Sequence, residues 1–376
     1  MRSVHIDTAR GWRGGQNQVL LTVLGLRALN HRTVLVADPQ GELRRRTAEG
    51  FDVLPIATTG EMSLSAGWRL ARELRTIQPD IVHAHDPHGV AMAALALSVG
   101  TLPNRPRLVA SRRVDFHLKR NAFSRWKYRA VDRFICASRA IQDMLVADGI
   151  PARSTVLVHE GIDLVHIDAA PVLEIHQALW LPAHVPIVGN VAALVPHKGQ
   201  RHLVEAAALV LREMPDVHFV ILGDGELRES LERQVKHLGL EKHVLLLGFQ
   251  PNVLSYIKGF DIFAMTSLTE GLGTSVLDAM ACRRPVVATR AGGIPEIVTA
   301  ETARLVDPRD DEGLAREILA LLRDPAGRDR MGTAGRAHVE AHFTAERMVD
   351  ETLAVYEDLL DGTRREGDTV NRAADA

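Results

Sequence analysis

The sequence predicts an α/β protein made of two doubly wound parallel-sheet domains. Short β-branched or aliphatic runs alternate with helical patterns, the alternation occurs twice around a weakly patterned interval, and 376 residues give each half enough chain for its own core. In the first half the runs Val4–Ile6, Thr33–Ala37, Ile81–His83, Leu108–Ala110 and Phe134–Cys136 read as strands. Gln16–Leu29, Leu64–Ile77 and Arg139–Ala147 read as helices between them. The second half repeats the scheme, with strands at Ile187–Val191, His218–Leu222, Val244–Leu247, Ile262–Met265 and Val286–Ala288 and helices such as Arg201–Glu213 and Leu227–Leu238. Pro171, Pro182 and Pro186 interrupt the interval after Gly161, so the expected domains are 1–165 and 166–344. Met348, Leu353, Tyr356 and Leu360 mark a helix over 345–361 expected to pack back on the first domain, and the polar tail 362–376 is expected to be disordered. Doubly wound sheets bind ligands outside the carboxyl ends of their strands, and two such sheets facing one another would make an interdomain cleft.

Composition narrows the classes. A formal charge of -2 argues against a nucleic-acid binder. Cys136 and Cys282 are isolated and lack metal or redox spacing, which suits a reducing cytosol. Val4-His5-Ile6 begins almost at once, leaving no room for a signal peptide, and the apolar helix candidate Val90–Val99 is far short of the roughly 20 residues that span a bilayer. The expected location is cytoplasmic, with any membrane association peripheral on the inner face.

The most informative stretch is Glu270-Gly-Leu-Gly-Thr-Ser-Val-Leu-Asp278, which runs on to Gly292-Gly293-Ile-Pro-Glu296. Glu270 sits in a glycine turn, and Asp278 follows on a helix marked by Val276, Leu277, Met280 and Ala281. Gly271, Leu272 and Gly273 let backbone approach a ligand, Thr274 or Ser275 can cap the helix, and its free N–H groups attract an anion. Carboxylates beside an anion site suit a polyhydroxylated phosphate ester, which points to a nucleotide sugar.

With these residues in order, the chain resembles glycosyltransferase family 4, whose members have the GT-B architecture of two Rossmann-like domains facing across a cleft. Arg13-Gly14-Gly15 is similar to the family's N-terminal glycine loop, Asp80-Ile-Val-His83-Ala-His85 to its histidine motif and Gly161-Ile-Asp163 to its domain crossover. Leu194-Val-Pro-His-Lys198-Gly199 resembles its donor-phosphate lysine loop, and Gly223-Asp-Gly225-Glu226 and the Glu270 segment complete the set. The resemblance implies retaining, metal-independent glycosyl transfer, with His85, Lys198 and Glu270 at the reaction centre and Gly14, Gly15, Gly271 to Ser275 and Asp278 on the donor. No cofactor or metal is expected, and no DxD triplet offers itself.

Each motif also has a structural reading. Gly14-Gly15 suits a tight strand-to-helix turn, and Asn17 and Gln18 suit either polar contacts or solvent. His83 ends a strand and faces packing, whereas His85 lies just beyond the carboxyl end; His88, at a helix start, is the reserve candidate. Lys198 can meet a diphosphate at a helix N-terminus, or can be a solvated turn lysine. Two positions depart from the family pattern. Ala193 stands where relatives usually have arginine five residues before the lysine, with His197 or Arg290 as candidate replacements. Asp278 stands where glutamate is commoner, and is shorter by one methylene.

From Arg105 to Arg133 the chain is strongly basic, with Phe116, Phe123, Trp126 and Tyr128 interleaved. Arg112, Arg113, Lys119, Arg120 and Trp126 are the candidates for an acceptor or an anionic membrane surface, against the plainer reading of a solvated helix face. The expected reaction moves a sugar from a nucleoside diphosphate sugar donor to a carbohydrate or glycolipid acceptor hydroxyl in cell-envelope polysaccharide, lipopolysaccharide or glycolipid synthesis. The alternatives are a nucleotide-sugar-binding subunit without catalysis and a nucleotide-sugar epimerase on the same fold.

Overall fold

The computed structural model describes residues 1–47, 50–58, 60–61, 63–100 and 102–374, with side chains as far as residue 362. The chain divides into two compact units, Met1–Gly161 with Ala345–Ala376 and Ile162–Thr344.

Unit 1 carries seven strands, β1 (Arg2–Asp7), β2 (Arg32–Ala37), β3 (Asp52–Pro55), β4 (Ile81–Ala84), β5 (Arg107–Arg112), β6 (Arg133–Cys136) and β7 (Thr155–Leu157). They form one parallel sheet in the order β3-β2-β1-β4-β5-β6-β7. The chain reverses its winding between β1 and β4, so the crevice at their carboxyl ends is where a ligand site is built. In that pair His5 lies opposite His83. The helix Gly14–Ala28 follows β1 and buries Val19, Val23 and Leu26. Gln18 on the same face is 1% exposed. Its carboxamide donates to the Gly161 carbonyl at 2.9 Å and accepts from the Gly161 N–H at 3.1 Å, so it fixes the end of unit 1 and faces neither solvent nor a ligand. The C-terminal helix buries Met348, Val349, Val355, Tyr356 and Leu359 in a cluster with Leu26, Ile81 and Val109 of the first sheet's layers. Its helix is described as far as Ala374. Asp375 and Ala376 lie outside the described residues.

Unit 2 carries β8 (Ile187–Val191), β9 (His218–Leu222), β10 (Val244–Gly248), β11 (Ile262–Met265), β12 (Val286–Thr289) and β13 (Ala303–Val306), again all parallel, in the order β10-β9-β8-β11-β12-β13. Its switch point lies between β8 and β11, whose following loops contain Lys198 and Glu270. The strands β3, β7 and β13 were not legible in the sequence. Each lies at a sheet edge and is short, and Asp52, Pro55 and Arg304 break the apolar run that marks a buried strand. Cys136 and Cys282 are both buried and free. Burial pushes both thiols up to about 12.

Candidate active site

In unit 2 the loops after β8 and β11 are laced together before any side chain is considered. The Leu268 N–H donates to the His197 carbonyl at 2.7 Å and Thr266 Oγ1 to the Lys198 carbonyl at 3.1 Å. Gly199 turns here with φ 64°, and a Cβ would lie 2.2 Å from the Thr266 carbonyl oxygen, so this close approach needs glycine. The lacing brings Lys198 Nζ within 2.5 Å of Glu270 Oε2, which also accepts from Ser267 Oγ at 2.9 Å. The two charged side chains are 19% and 10% exposed, a geometry in which an ion pair is far less screened than at the surface. Ser267, which sequence reasoning missed, is held in turn by Thr289 Oγ1, which donates to the Ser267 carbonyl at 2.6 Å.

Behind Glu270, Gly271, Leu272 and Gly273 are buried, and the helix Thr274–Ala281 begins. Its N-cap is Gly273 at φ 99°, with no side chain capping it. Thr274 and Ser275, expected as caps, therefore stand inside the first turn, because only the glycine tolerates the left-handed cap geometry. Val276, Leu277, Met280 and Ala281 are buried as their spacing predicts, and Asp278 is half-buried one turn along the helix.

Ala193 carries no cation. Its carbonyl accepts from Gln200 Nε2 at 2.9 Å. Gln200 Oε1 is buried without a hydrogen-bond partner among the described residues. The Arg290 guanidinium is exposed, lying 3.8 Å from Asp307 and 3.5 Å from the Leu305 carbonyl.

In unit 1 Gly14 and Gly15 open the first helix, where the Gln16 side chain accepts from the Arg13 N–H at 3.1 Å and donates to Asp7. His85, just past β4, is buried. Its Nε2 lies 3.0 Å from His5 Nδ1 and its Nδ1 lies 3.1 Å from Arg113 Nη1. Both ring nitrogens are thus engaged within unit 1. His83 is packed, as expected, between Tyr356 and Ser111, 2.8 Å from the Ser111 hydroxyl. His88 is exposed at its helix N-terminus, its N–H donating to Asp86 at 2.8 Å. Burial first, and then Arg113, holds His5 down to about 3. Burial and the neighbouring cationic groups keep His83 and His85 well below the usual imidazole range. Asp7 is pushed up to about 6, by burial first and then by Asp86.

A potential metal ligand atom from each of His5, His83 and His85 lies within 4.8 Å of the others. Their ring nitrogens already bond Ser3, Arg113, Tyr356, Ser111 and one another, and a guanidinium abuts the cluster, so the donor set fits a hydrogen-bonded chain better than a cation. His5 and Tyr356 are members that sequence reasoning did not assign to a site, and Arg113 is one that it assigned to an acceptor or membrane surface. The opposition of His5 to His83 across a strand pair was the available signal, but it needs the register.

The basic stretch does not form one face. Arg113 is 14% exposed and pairs with Glu160 at 3.1 Å. Arg112 is buried and donates to the Phe116 carbonyl. Both lie at the carboxyl end of β5, Arg112 buried and Arg113 mostly covered, so neither presents an exposed cation to a membrane surface. Lys127 is also buried, on Glu61 and the Pro87 carbonyl. Arg105 and Arg107 pair with Asp132, and Arg133 with Asp358. Lys119, Arg120 and Arg125 stay exposed, and Trp126, 38% exposed and stacked on Phe123, lines a cavity of about 220 Å³ with Leu64, Ala91, Met92 and Leu95. No helix among the described residues is long and apolar enough to cross a membrane.

Residues 173–338 match the family Glycosyl transferases group 1, and residues 12–166 match Glycosyltransferase Family 4. A GDP-mannose-dependent monoacylated alpha-(1-6)-phosphatidylinositol monomannoside mannosyltransferase of Corynebacterium glutamicum is 38% identical over 173 residues. That match covers 43% of this chain and 45% of the relative, less than half the relative's length. The putative glycosyltransferase EpsD of Bacillus subtilis is 28% identical over 79% of this chain and 81% of its own. Among solved structures, Anabaena Alr3699/HepE in complex with UDP and glucose superposes with a TM-score of 0.82 at 21% identity, covering 94% of this chain and 99% of that one. Sucrose-phosphate synthase from Thermosynechococcus elongatus gives 0.77 at 20% identity, over 96% and 99% of the two chains. Two Rossmann-like parallel-sheet units with these neighbours make a GT-B fold, and with both halves matched the chain belongs to the family 4 glycosyltransferases.

Proposed function

We propose that the protein transfers a glycosyl group from a nucleoside diphosphate sugar to an acceptor hydroxyl, with retention at the anomeric carbon and without a metal ion. The observation that carries this reading is the Lys198–Glu270 pair at the switch point of unit 2, beside the open N-terminus of the helix Thr274–Ala281. Lys198 and the amides of 271–275 would take up charge on the departing diphosphate, while Glu270 accepts from a sugar hydroxyl and Asp278 reaches towards the ribose. A donor phosphate would draw Lys198 from Glu270 and free a carboxylate oxygen for the sugar. In the retaining course the leaving phosphate itself takes the acceptor proton, so the protein's part is positioning and electrostatics. UDP and glucose bound in one similar protein, and the GDP-mannose dependence of another, support a nucleotide-sugar donor.

Exposed Lys119, Arg120 and Arg125 beside the apolar cavity at Trp126 favour a glycolipid acceptor in cell-envelope synthesis, met at an anionic membrane surface. A binding subunit without catalysis is the second reading. It is favoured by Ala193, which brings no cation and whose carbonyl accepts from the Gln200 carboxamide. The deciding experiment incubates the protein in chelator with UDP-, GDP- and ADP-sugars and a glycolipid-containing envelope extract, following nucleoside diphosphate release and the anomeric configuration of the product. Acceptor-dependent release with a retained linkage is expected. Binding without release across the whole panel supports the second reading, product from donor alone supports an epimerase, and release only on adding divalent cation ends the metal-free mechanism.

A further inference from the structure

The histidine cluster of unit 1 has a polarity that can be assigned proton by proton. Arg113 Nη1 has only protons to offer, so at 3.1 Å it donates and His85 Nδ1 accepts. A neutral imidazole that accepts at Nδ1 carries its proton on Nε2. Nε2–H of His85 then donates to His5 Nδ1 at 3.0 Å, and by the same logic Nε2–H of His5 donates to Ser3 Oγ at 3.0 Å. At the other end Arg113 Nε pairs with Glu160 at 3.1 Å, so the carboxylate holds the guanidinium.

We propose that Arg113 is a positioning residue that holds His85 as the neutral Nε2–H tautomer and so sets the direction of the hydrogen-bonded chain from Glu160 to Ser3. Two consequences follow for chemistry at His85. Its basic lone pair is sealed by a guanidinium, so the ring works as an oriented hydrogen-bonding group and not as a general base. A second positive charge beside Arg113 is also disfavoured. The groups around the pair are His5 and Asp7 on β1, His83 on β4, Asp86 after it, Ser111 on β5, Glu160 after β7 and Tyr356 on the C-terminal helix; His83 is closed off by Tyr356 and Ser111, and Asp86 by Thr8 and the backbone N–H groups of His88 and Gly89. Glu160 is the anion in direct contact with Arg113, and Asp7 adds its charge from β1.

The test reads tautomers directly, by ¹⁵N–¹H correlation of histidine-labelled protein with the His85 signals identified by their loss in His85→Gln. Wild type and Arg113→Lys, which keeps a cationic donor, should show His85 protonated at Nε2 alone. Arg113→Met should show Nδ1–H appearing, and Arg113→Met/Glu160→Gln should show the same without a stranded buried carboxylate, which covers the case in which the single variant fails to fold. The role of His85 in turnover rests on the proposed transferase reading. If turnover is found, its acid limb should move up by about one pH unit or more in Arg113→Met and stay near the wild-type position in Arg113→Lys. Nδ1–H on His85 in the wild type, or Nε2–H alone persisting in the double variant, overturns the proposal; neither readout needs activity, so a failed transferase assay leaves this test intact.

Discussion

Gly292→Ala is expected to disable the proposed donor loop of unit 2 through a single methyl group. Gly292 has φ 52°, and a Cβ there would stand 1.7 Å from the Glu270 carbonyl oxygen and 2.7 Å from its carbon. Restoring ordinary contact moves the two segments apart by about 1.5 Å, against backbone atoms that cannot rotate away. The Gly293 N–H, which donates to the same carbonyl at 3.1 Å, loses its partner. Left-handed backbone costs about 1–2 kcal/mol for a residue with a Cβ, and a lost hydrogen bond about 1 more. At about 2–4 °C per kcal/mol for a unit of this size, the melting temperature should fall by about 5–10 °C. Displacing Glu270 by about 1 Å should cost about 100-fold in turnover. Gly239→Ala separates the contributions, because Gly239 has φ 69° with nothing within 4 Å of its Cβ direction and so carries the backbone strain without the collision. The assay is thermal unfolding of both variants with and without nucleoside diphosphate, alongside turnover. If Gly292→Ala melts with Gly239→Ala and keeps wild-type nucleotide affinity, the reasoning about this loop is wrong.

Acid should weaken unit 1. His5, His83 and His85 are neutral in the fold and titrate at 6.5 when unfolded, so each loses about 1.4 kcal/mol per pH unit as pH falls below 6.5, continuing to about 3 for His5. Asp7, raised to about 6, acts oppositely: its contribution is present below 3.8 and lost as pH rises through about 6, so it offsets about one histidine between those values. Urea unfolding at pH 7.5 and 5.5 should show a net loss at the lower pH, and equal stability would contradict the neutral cluster. Tyr356→Phe strands the buried His83 Nδ1 and should cost about 1–3 kcal/mol in denaturant unfolding while leaving nucleotide affinity unchanged. Lys119→Glu/Arg120→Glu/Trp126→Ser should reduce sedimentation with anionic vesicles by tenfold or more at low salt; unchanged sedimentation removes this face from the membrane reading.

The sequence carried the central strands well because they are buried on both faces and read as unbroken apolar runs; the switch-point logic then put Lys198 and Glu270 on adjacent loops. What it could not carry was register and pairing. His5 becomes part of a cluster only once β1 is laid beside β4, and Gln18 becomes a clamp only when Gly161 returns to it across most of the unit. Charge counting failed between Arg105 and Arg133 for the same reason. Asp132, Glu160, Asp358 and Glu61, three of them distant in sequence, neutralise residues that would otherwise read as one cationic face.

The most direct test of the donor site is calorimetric titration of the protein with UDP, GDP and ADP in chelator, repeated with Lys198→Ala and Glu270→Ala. One nucleotide should bind selectively, about 10- to 100-fold more weakly to Lys198→Ala, as expected for the loss of a charge-assisted contact. Glu270→Ala should bind the bare nucleotide as well as wild type or better, because it removes the carboxylate that competes for Lys198. Absence of binding to all three, or binding indifferent to Lys198, would contradict a diphosphate site built on the Lys198–Glu270 pair.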